Sequence, residues 1–286
     1  MIRHYQHSTL DPQFVYQKLE EFFKEDNIDF DITTKSTQTD MKNTACHFIA
    51  KEDMVFVGKE IIKQAFIKNC SIDSIVRDGL KVKKGKILAS LLGPVDTFLQ
   101  KERVVLNLVQ RLSGIASTTK MLAEKLQSYN IQLLDTRKTT PGLRVFEKFA
   151  VCMGGGINHR FSLKEAVMIK DNHLIGNPDI KGAVAKALSA NPDKDIQIEV
   201  DTVGQLRVAL ETMATSLLLD NFHPQDLPEA IEIIRSSKRG NQIYIELSGG
   251  INKNNIEQYC VAGVDGISIG ALTHNIKSKD ISLDLK

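Results

Sequence analysis

After residue 130 the chain alternates short apolar runs with helical stretches, and this rhythm restricts the fold more than any other feature. The runs are IQLLD, AVMIK, IQIEV, SLLLD, IYIELS and VDGISIGA, separated mostly by helical stretches such as 179–190, 203–213, 225–238 and 252–262. Strands alternating with helices through short connections pair in parallel by right-handed crossovers. Six such strands, most with a polar residue at the carboxyl end, predict an α/β barrel or partial barrel, and a barrel of this kind carries its site at those ends. No GxGxxG follows a strand, which argues against a Rossmann dinucleotide site.

Residues 1–112 lack that rhythm and read as a small α+β domain. Asp11-Pro12 starts a helix over 12–24 with Val15, Leu19 and Phe22 at helical spacing. TACHFIAK and MVFVG have strand composition, Gly58–Lys68 is helical, and SIVRDGLKVKKGKILASLLGP gives two short strands around a glycine turn. That segment fails as a P-loop, since five residues separate Gly79 from Gly85 and Ile87 stands where Ser or Thr is needed. Pro94–Tyr129 is helical in two pieces, with a break expected at Ser113-Gly114. The barrel domain is then 113–279, and the alternation of Ile281, Leu283 and Leu285 predicts a strand over 280–286 that returns to the first domain.

Composition removes several classes of function. A net charge of +2 gives no general basic field for nucleic acid, so any cationic site must be a local concentration. Cys46, Cys70, Cys152 and Cys260 lie far apart without ligand spacing, against a disulfide framework or a structural zinc site, and Cys46 and Cys152 are read as packing residues. MIRHYQHSTLDP lacks the apolar stretch of a signal peptide and no run reaches membrane-spanning length, so a cytoplasmic enzyme or binding protein is expected.

The local concentration lies in LLDTRKTTPGLR, Leu133 to Arg144. Here an apolar strand ends at Asp135, and Thr136, Arg137 and Lys138 open a turn shaped by Pro141 and Gly142. Arginine binds carboxylate or phosphate through two parallel bonds, and lysine supplies a compact point charge. At the other strand ends stand Lys170, Glu199, Asp220, Ser248-Gly249-Gly250 and Gly270-Ala271, and His159-Arg160 follow the glycine run 154–156. In IQIEV the alternation places Gln197 and Glu199 on one face, toward a barrel interior. A carboxylate there needs a cation or ligand hydroxyls. Each residue alone also admits a structural role: Glu199 paired with Lys170, Asp220 as a cap, the histidines as satisfied core or surface groups. Together they form a cup of cations, two acids and two glycine-bearing strand ends, and the latter are positions where barrels bind phosphate through backbone N–H groups.

These residues resemble quinolinate phosphoribosyltransferase, the carboxylating nicotinate-nucleotide pyrophosphorylase. The likeness is carried by DTRKTTPGLR, GGGxNHRxxL, the Lys170-Asp171-Asn172-His173 run, IEV, LLLDN, ELSGGI and SIGALTH. Upstream it extends to DITT and ERVVLNLVQRLSGIAS, so it covers nearly the whole chain. The resemblance implies an N-terminal sandwich, an incomplete barrel of the type II phosphoribosyltransferase kind, and a homodimer or higher assembly. It implies conversion of quinolinate and phosphoribosyl pyrophosphate to nicotinate mononucleotide, pyrophosphate and carbon dioxide, a step of NAD biosynthesis. It further implies Mg²⁺ held mainly by substrate near Glu199 and Asp220. By the same likeness Arg103 reaches the partner subunit's site, while Arg137, His159, Arg160 and Lys170 surround the two carboxylates. Thr136 is among the substrate-binding residues, Lys138 lies close to phosphoribosyl pyrophosphate, Glu199 and Asp220 face the ribose hydroxyls and the metal-bound pyrophosphate, and Ser248–Gly250 with Ile269–Ala271 hold the 5′-phosphate. Lys138, Lys170, Glu199 and Asp220 are the residues implied in catalysis. The alternatives are a transferase acting on nicotinate or another pyridine carboxylate, a Schiff-base lyase using Lys170, and a binding protein without turnover.

Overall fold

The computed structural model describes residues 4–38, 42–175 and 179–286. Two compact units account for them. One comprises 7–120, 141–155 and 275–286, and the other the described residues of 1–6 with 121–140 and 156–274.

The first unit is a helix-on-sheet sandwich. Helix α1 (Pro12–Glu25) starts where Asp11 accepts from the Phe14 amide at 2.7 Å, and α2 (Ile32–Thr37) is capped by Asp31 in the same way. Strands β1 (Asn43–Ala50) and β2 (Met54–Val55) precede α3 (Lys59–Phe66), and β3 (Ser71–Ile75), β4 (Lys81–Val82) and β5 (Ile87–Pro94) follow. Phe48 of β1, Phe66 of α3 and Phe98 meet in a buried aromatic cluster, with ring centroids 6.1 and 5.4 Å apart, so the helices bury their apolar faces on the sheet.

Phe98 belongs to α4 (Val95–Leu126), which is one helix of 32 residues and not the two pieces expected from Ser113-Gly114. Gly114 is a contact position: a Cβ there would collide with the Lys277 carbonyl oxygen. The glycine admits a neighbouring backbone, and the helix runs through it.

In the second unit β6 (Gln132–Leu134) comes first, and α5 (Arg144–Met153) interrupts it in sequence while belonging to the sandwich. Then follow β7 (Val167–Ile169), α6 (Asp171–Leu174), α7 (Ile180–Ala190), β8 (Ile196–Val200), α8 (Val203–Leu210), β9 (Ser216–Asp220), α9 (Leu227–Arg235), β10 (Tyr244–Ser248), β11 (Gly266–Ser268) and α10 (Ala271–His274). The six strands pair in parallel in the order β6-β11-β10-β9-β8-β7. The first strand therefore pairs with the last, as in a barrel, but among the described residues no ladder joins β6 to β7. The barrel is open along that one seam.

The stretch 252–262, expected as a helix, forms only a 3₁₀ turn at Ile256–Tyr259. Asparagine side chains capture the backbone instead: the Asn252 amide bonds Asn255 Oδ1, the Asn254 amide bonds Asn252 Oδ1, and Asn255 Nδ2 bonds the Gly250 carbonyl. The last strand, β12 (Ile281–Leu285), lies antiparallel to β1 at the edge of the sheet β12-β1-β5-β3, with Cys46 opposite Leu285. Among the described residues no helix is long and apolar enough to cross a membrane.

Candidate active site

Alternation along the parallel strands sorts the barrel's side chains into layers. At the amino-terminal end the Tyr244 hydroxyl donates to Gln132 Oε1 at 2.8 Å, crossing β11 where Gly266 leaves room. The next layer holds Leu134, Met168, Gln197, Leu218, Glu246 and Ser268. The register sets Met168 opposite Gln197, Leu218 opposite Glu246, and Ser268 opposite Leu134. Two residues further on, at the carboxyl ends, come Thr136, Lys170, Glu199, Asp220, Ser248 and Gly270. Over these layers opens a cavity of about 620 Å³.

The seam between β6 and β7 is filled by residues 157–160. The Ile157 amide bonds the Leu133 carbonyl at 2.8 Å, and the fully buried Asp135 grips the segment. Its Oδ1 accepts from the His159 amide at 2.8 Å and its Oδ2 from Asn158 Nδ2 at 2.7 Å. From the other side the Gln6 amide group exchanges two bonds with the Asn158 backbone, at 2.7 and 3.1 Å. Arg160 then reaches across to β7, donating from one nitrogen to the Ala166 carbonyl at 3.0 Å and from the other to Met168 Sδ at 3.4 Å.

The cavity is lined by Thr136, Arg137 and Lys138 after β6, by His159 and Arg160 in the seam, and by Lys170, Glu199 and Asp220 at the ends of β7, β8 and β9. Ser248, Gly249 and Gly250 follow β10, and Ile269, Gly270 and Ala271 follow β11. Of the residues expected at the site only Arg103 is not among those lining it. Arg103 is exposed on α4 and borders a separate cleft of about 300 Å³ with Phe22, Asp26, Asn107 and Leu143. Met168, Leu218, Glu246, Ile251, Ser268 and His274 line the cavity but escape a reading confined to strand ends. Four of them sit two residues before a strand-end residue, so period-two counting from Lys170, Asp220, Ser248 and Gly270 reaches them.

Glycine shapes one corner of the cavity. Gly249 and Gly250 have φ of 90° and 63°, and a Cβ on Gly249 would fall 2.6 Å from the Asn221 backbone nitrogen. At Gly270 the methylene stem of Lys138 passes so close that a Cβ would lie 2.8 Å from Lys138 Cδ. The Thr273 hydroxyl fixes the loop by bonding the Lys138 carbonyl at 2.6 Å.

The charges divide into two groups. Lys170 is ion-paired with Glu199. Burial pushes the Glu199 carboxyl up, more than the adjacent ammonium pulls it down, and burial likewise raises Asp220 against the pull of Lys170. Arg137, Lys138 and Arg160 make no ion pair among the described residues, and Arg137 Nε is buried without a hydrogen-bond partner. Desolvation, followed by the charge of Arg137, lowers the pKa of Arg160, so two guanidinium groups repel each other in one cavity.

Comparison with known proteins bears on this arrangement. The family model "Quinolinate phosphoribosyl transferase, N-terminal domain" matches residues 31–113, and its C-terminal counterpart matches 115–284. The chain is 40% identical to the probable nicotinate-nucleotide pyrophosphorylase (carboxylating) of Bacillus subtilis over 271 residues, 93% of this chain and 92% of that one. It is 36% identical to a tobacco (Nicotiana tabacum) quinolinate phosphoribosyltransferase (decarboxylating), over 89% of this chain and 77% of that one. The structure of the nicotinate-nucleotide pyrophosphorylase from Francisella tularensis superimposes with a TM-score of 0.92 at 34% identity, over 99% of this chain and 100% of that one.

Proposed function

The chain belongs to the quinolinate phosphoribosyltransferase family, and we propose that its barrel cavity joins the ring nitrogen of quinolinate to C1 of phosphoribosyl pyrophosphate with loss of carbon dioxide. The products are nicotinate mononucleotide and pyrophosphate. The observation that carries this reading is the meeting of two guanidinium groups, Arg137 and Arg160, in one cavity with no ion pair to either among the described residues, although the charges of Glu165 and Glu246 also act on Arg160. Such a pair is stabilised when a dianionic planar ligand enters, and a monocarboxylate offsets only half of its charge.

In this reading Arg137 and Arg160 grip the two carboxylates. Lys170 exchanges part of its bond to Glu199 for the substrate. Lys138 and the N–H groups of Ser248–Gly250 and Ile269–Ala271 hold phosphate oxygens, which the left-handed glycines allow the backbone to approach closely. As the C1–oxygen bond breaks, its electron pair leaves with pyrophosphate, and the ribosyl carbon acquires positive charge opposite Glu199 and Asp220. The nitrogen lone pair forms the new bond. When the C2–carboxylate bond then breaks, carbon dioxide leaves, the electron pair stays on C2 where the adjacent ring N⁺ stabilises it, and C2 takes up a proton. The protein contributes position and charge, with the two arginines holding the ring in the attacking geometry.

Mg²⁺ fits this donor set as a shared ion. Glu199 and Asp220 offer hard oxygen atoms, and among the described residues no group of three His, Cys, Asp or Glu side chains forms a complete metal cage. Pyrophosphate and water would supply the remaining ligands. The ion's contribution is to neutralise the departing pyrophosphate.

We also infer a cytoplasmic homodimer in which Arg103, exposed and without an ion-pair partner among the described residues, enters the partner's cavity. Mixing the inactive variants Arg103→Ala and Lys138→Ala then restores about a quarter of wild-type activity. Half of randomly mixed dimers are hybrids, each with one intact site. No recovery on mixing refutes the shared site.

The deciding experiment traps carbon dioxide from purified protein with quinolinate, phosphoribosyl pyrophosphate and Mg²⁺, with nicotinate as the parallel substrate. Release in a one-to-one ratio to nicotinate mononucleotide is expected. Turnover of nicotinate in place of quinolinate overturns the assignment.

A further inference from the structure

Beneath the cation cup lies a buried anion that the reaction as described does not use. Glu246, in the middle of β10, is 2% exposed. Its Oε2 contacts His159 Nε2 at 3.2 Å and accepts from Gln197 Nε2 at 2.7 Å, and the Ser268 hydroxyl also bonds the carboxylate. Burial opposes the ionised carboxylate, and the hydrogen bonds that converge on it from His159, Gln197 and Ser268 favour it, so Glu246 serves as the shared acceptor.

The His159 ring is fixed by what meets its other nitrogen. The Arg160 backbone N–H points at Nδ1 from 2.7 Å. An amide donor requires a lone pair there, so the ring proton resides on Nε2 and is directed at Glu246. His159 is therefore neutral, and both of its nitrogens are occupied within the protein. Its ring is also covered by His4, stacked with centroids 4.7 Å apart. The family resemblance implies that His159 is one of the residues surrounding the two carboxylates, and with both ring nitrogens engaged within the protein it acts there through its neighbours.

What His159 does instead is hold Arg160. The imidazole anchors the Arg160 main chain, and the guanidinium is tied to the Ala166 carbonyl and Met168 Sδ at its far end. We propose that Glu246 is a positioning residue of the carboxylate-binding part of the cavity. It selects the neutral Nε2–H form of His159, which sets the backbone of Arg160 and so the place of its guanidinium. This inference rests on the reading that Arg160 grips a quinolinate carboxylate.

A charge-tuning role would have the opposite sign. Removing an anion from below a cationic cup strengthens the attraction for a dicarboxylate, whereas losing a positioning residue weakens it. Glu246→Met and Glu246→Gln separate the two. Methionine removes the acceptor at similar volume and leaves the His159, Gln197 and Ser268 donors unsatisfied, so KM for quinolinate rises roughly tenfold or more. KM for phosphoribosyl pyrophosphate stays within threefold. Glutamine retains a carbonyl oxygen for His159 and Gln197, and restores KM for quinolinate to within threefold of wild type. A glutamine variant as impaired as methionine, a fall in KM for quinolinate in either variant, or an equal loss toward both substrates overturns the proposal.

A measurement on unmutated protein guards against a variant that does not fold. In ¹⁵N-histidine-labelled enzyme without substrate, long-range ¹H–¹⁵N correlation at neutral pH shows His159 as the Nε2–H form, assigned by its loss in His159→Gln. A doubly protonated ring, or the Nδ1–H form, overturns the proposal. If quinolinate is not turned over at all, the functional reading fails while the tautomer result still stands or falls by itself.

Discussion

Gly270→Ala perturbs chemistry while leaving the fold intact, and its size can be worked from the geometry. Gly270 does not occupy the left-handed region, so alanine meets no backbone penalty. The new Cβ would lie 2.8 Å from Lys138 Cδ and 3.2 Å from His274 Nε2. Carbon atoms pack best at about 3.5–4.0 Å, so the lysine stem must move aside by about 1 Å. It can do so, because the obstructing atom belongs to a flexible side chain. The ammonium is thereby displaced from the corner proposed to hold phosphate, and an error of about 1 Å in a catalytic group costs on the order of 10²-fold in rate, equivalent to about 2.7 kcal/mol. Steady-state kinetics with varied phosphoribosyl pyrophosphate should show that loss in kcat/KM, while thermal melting stays within about 2 °C of wild type, as expected for a change below about 1 kcal/mol in stability. A kcat/KM within threefold of wild type refutes the role of Lys138 at this corner. A large fall in Tm shows instead that Gly270 is needed for packing.

Two further outcomes follow from the charges. Arg137→Ala removes one partner of a buried charge pair formed with substrate, at a cost of about 2–5 kcal/mol, so kcat/KM for quinolinate falls on the order of 10- to 10³-fold, and a loss below threefold refutes its assignment. Because burial raises the Glu199 and Asp220 pKa values and the ionised forms are the active ones, the acid limb of the rate profile lies above the ordinary carboxylate range. Raised groups bind protons more tightly in the folded state, so their favourable contribution to stability is present at low pH and lost as pH rises through their folded-state pKa. Asp220→Asn is therefore expected to raise Tm at neutral pH while lowering activity roughly tenfold or more; a lower Tm, or an acid limb within the ordinary range, refutes the argument.

The parallel strands are legible in the chain because each is a short apolar run punctuated by a polar residue at its carboxyl end. The seam is not legible. That residues 157–160 fill the gap beside β6 depends on Asp135, Asn158 and Gln6 meeting across long separations, and no local pattern records it. Ser113-Gly114 and 252–262 mislead for opposite reasons. The glycine resembles a helix breaker but answers to a backbone packed against it. The asparagine-rich stretch carries apolar spacing suited to a helix, yet its side chains bind the main chain first. At the site, the strand-end residues follow from periodicity, while Glu246 is hidden one layer below by the same periodicity read too shallowly. The ion pair between Lys170 and Glu199 could be weighed from sequence, but which cations stay unpaired could not, since that depends on how the strands are arranged around the barrel.

The placement of β12 has a consequence for biosynthesis. The edge of β1 that it covers is exposed on the nascent chain throughout translation of the whole parallel sheet, because Cys46 must wait for Leu285. An uncovered strand edge is a template for pairing with another molecule. The sandwich therefore passes through an adhesive stage on the ribosome that ends only when the final strand emerges. Chains halted before residue 281 would be the ones most in need of a chaperone.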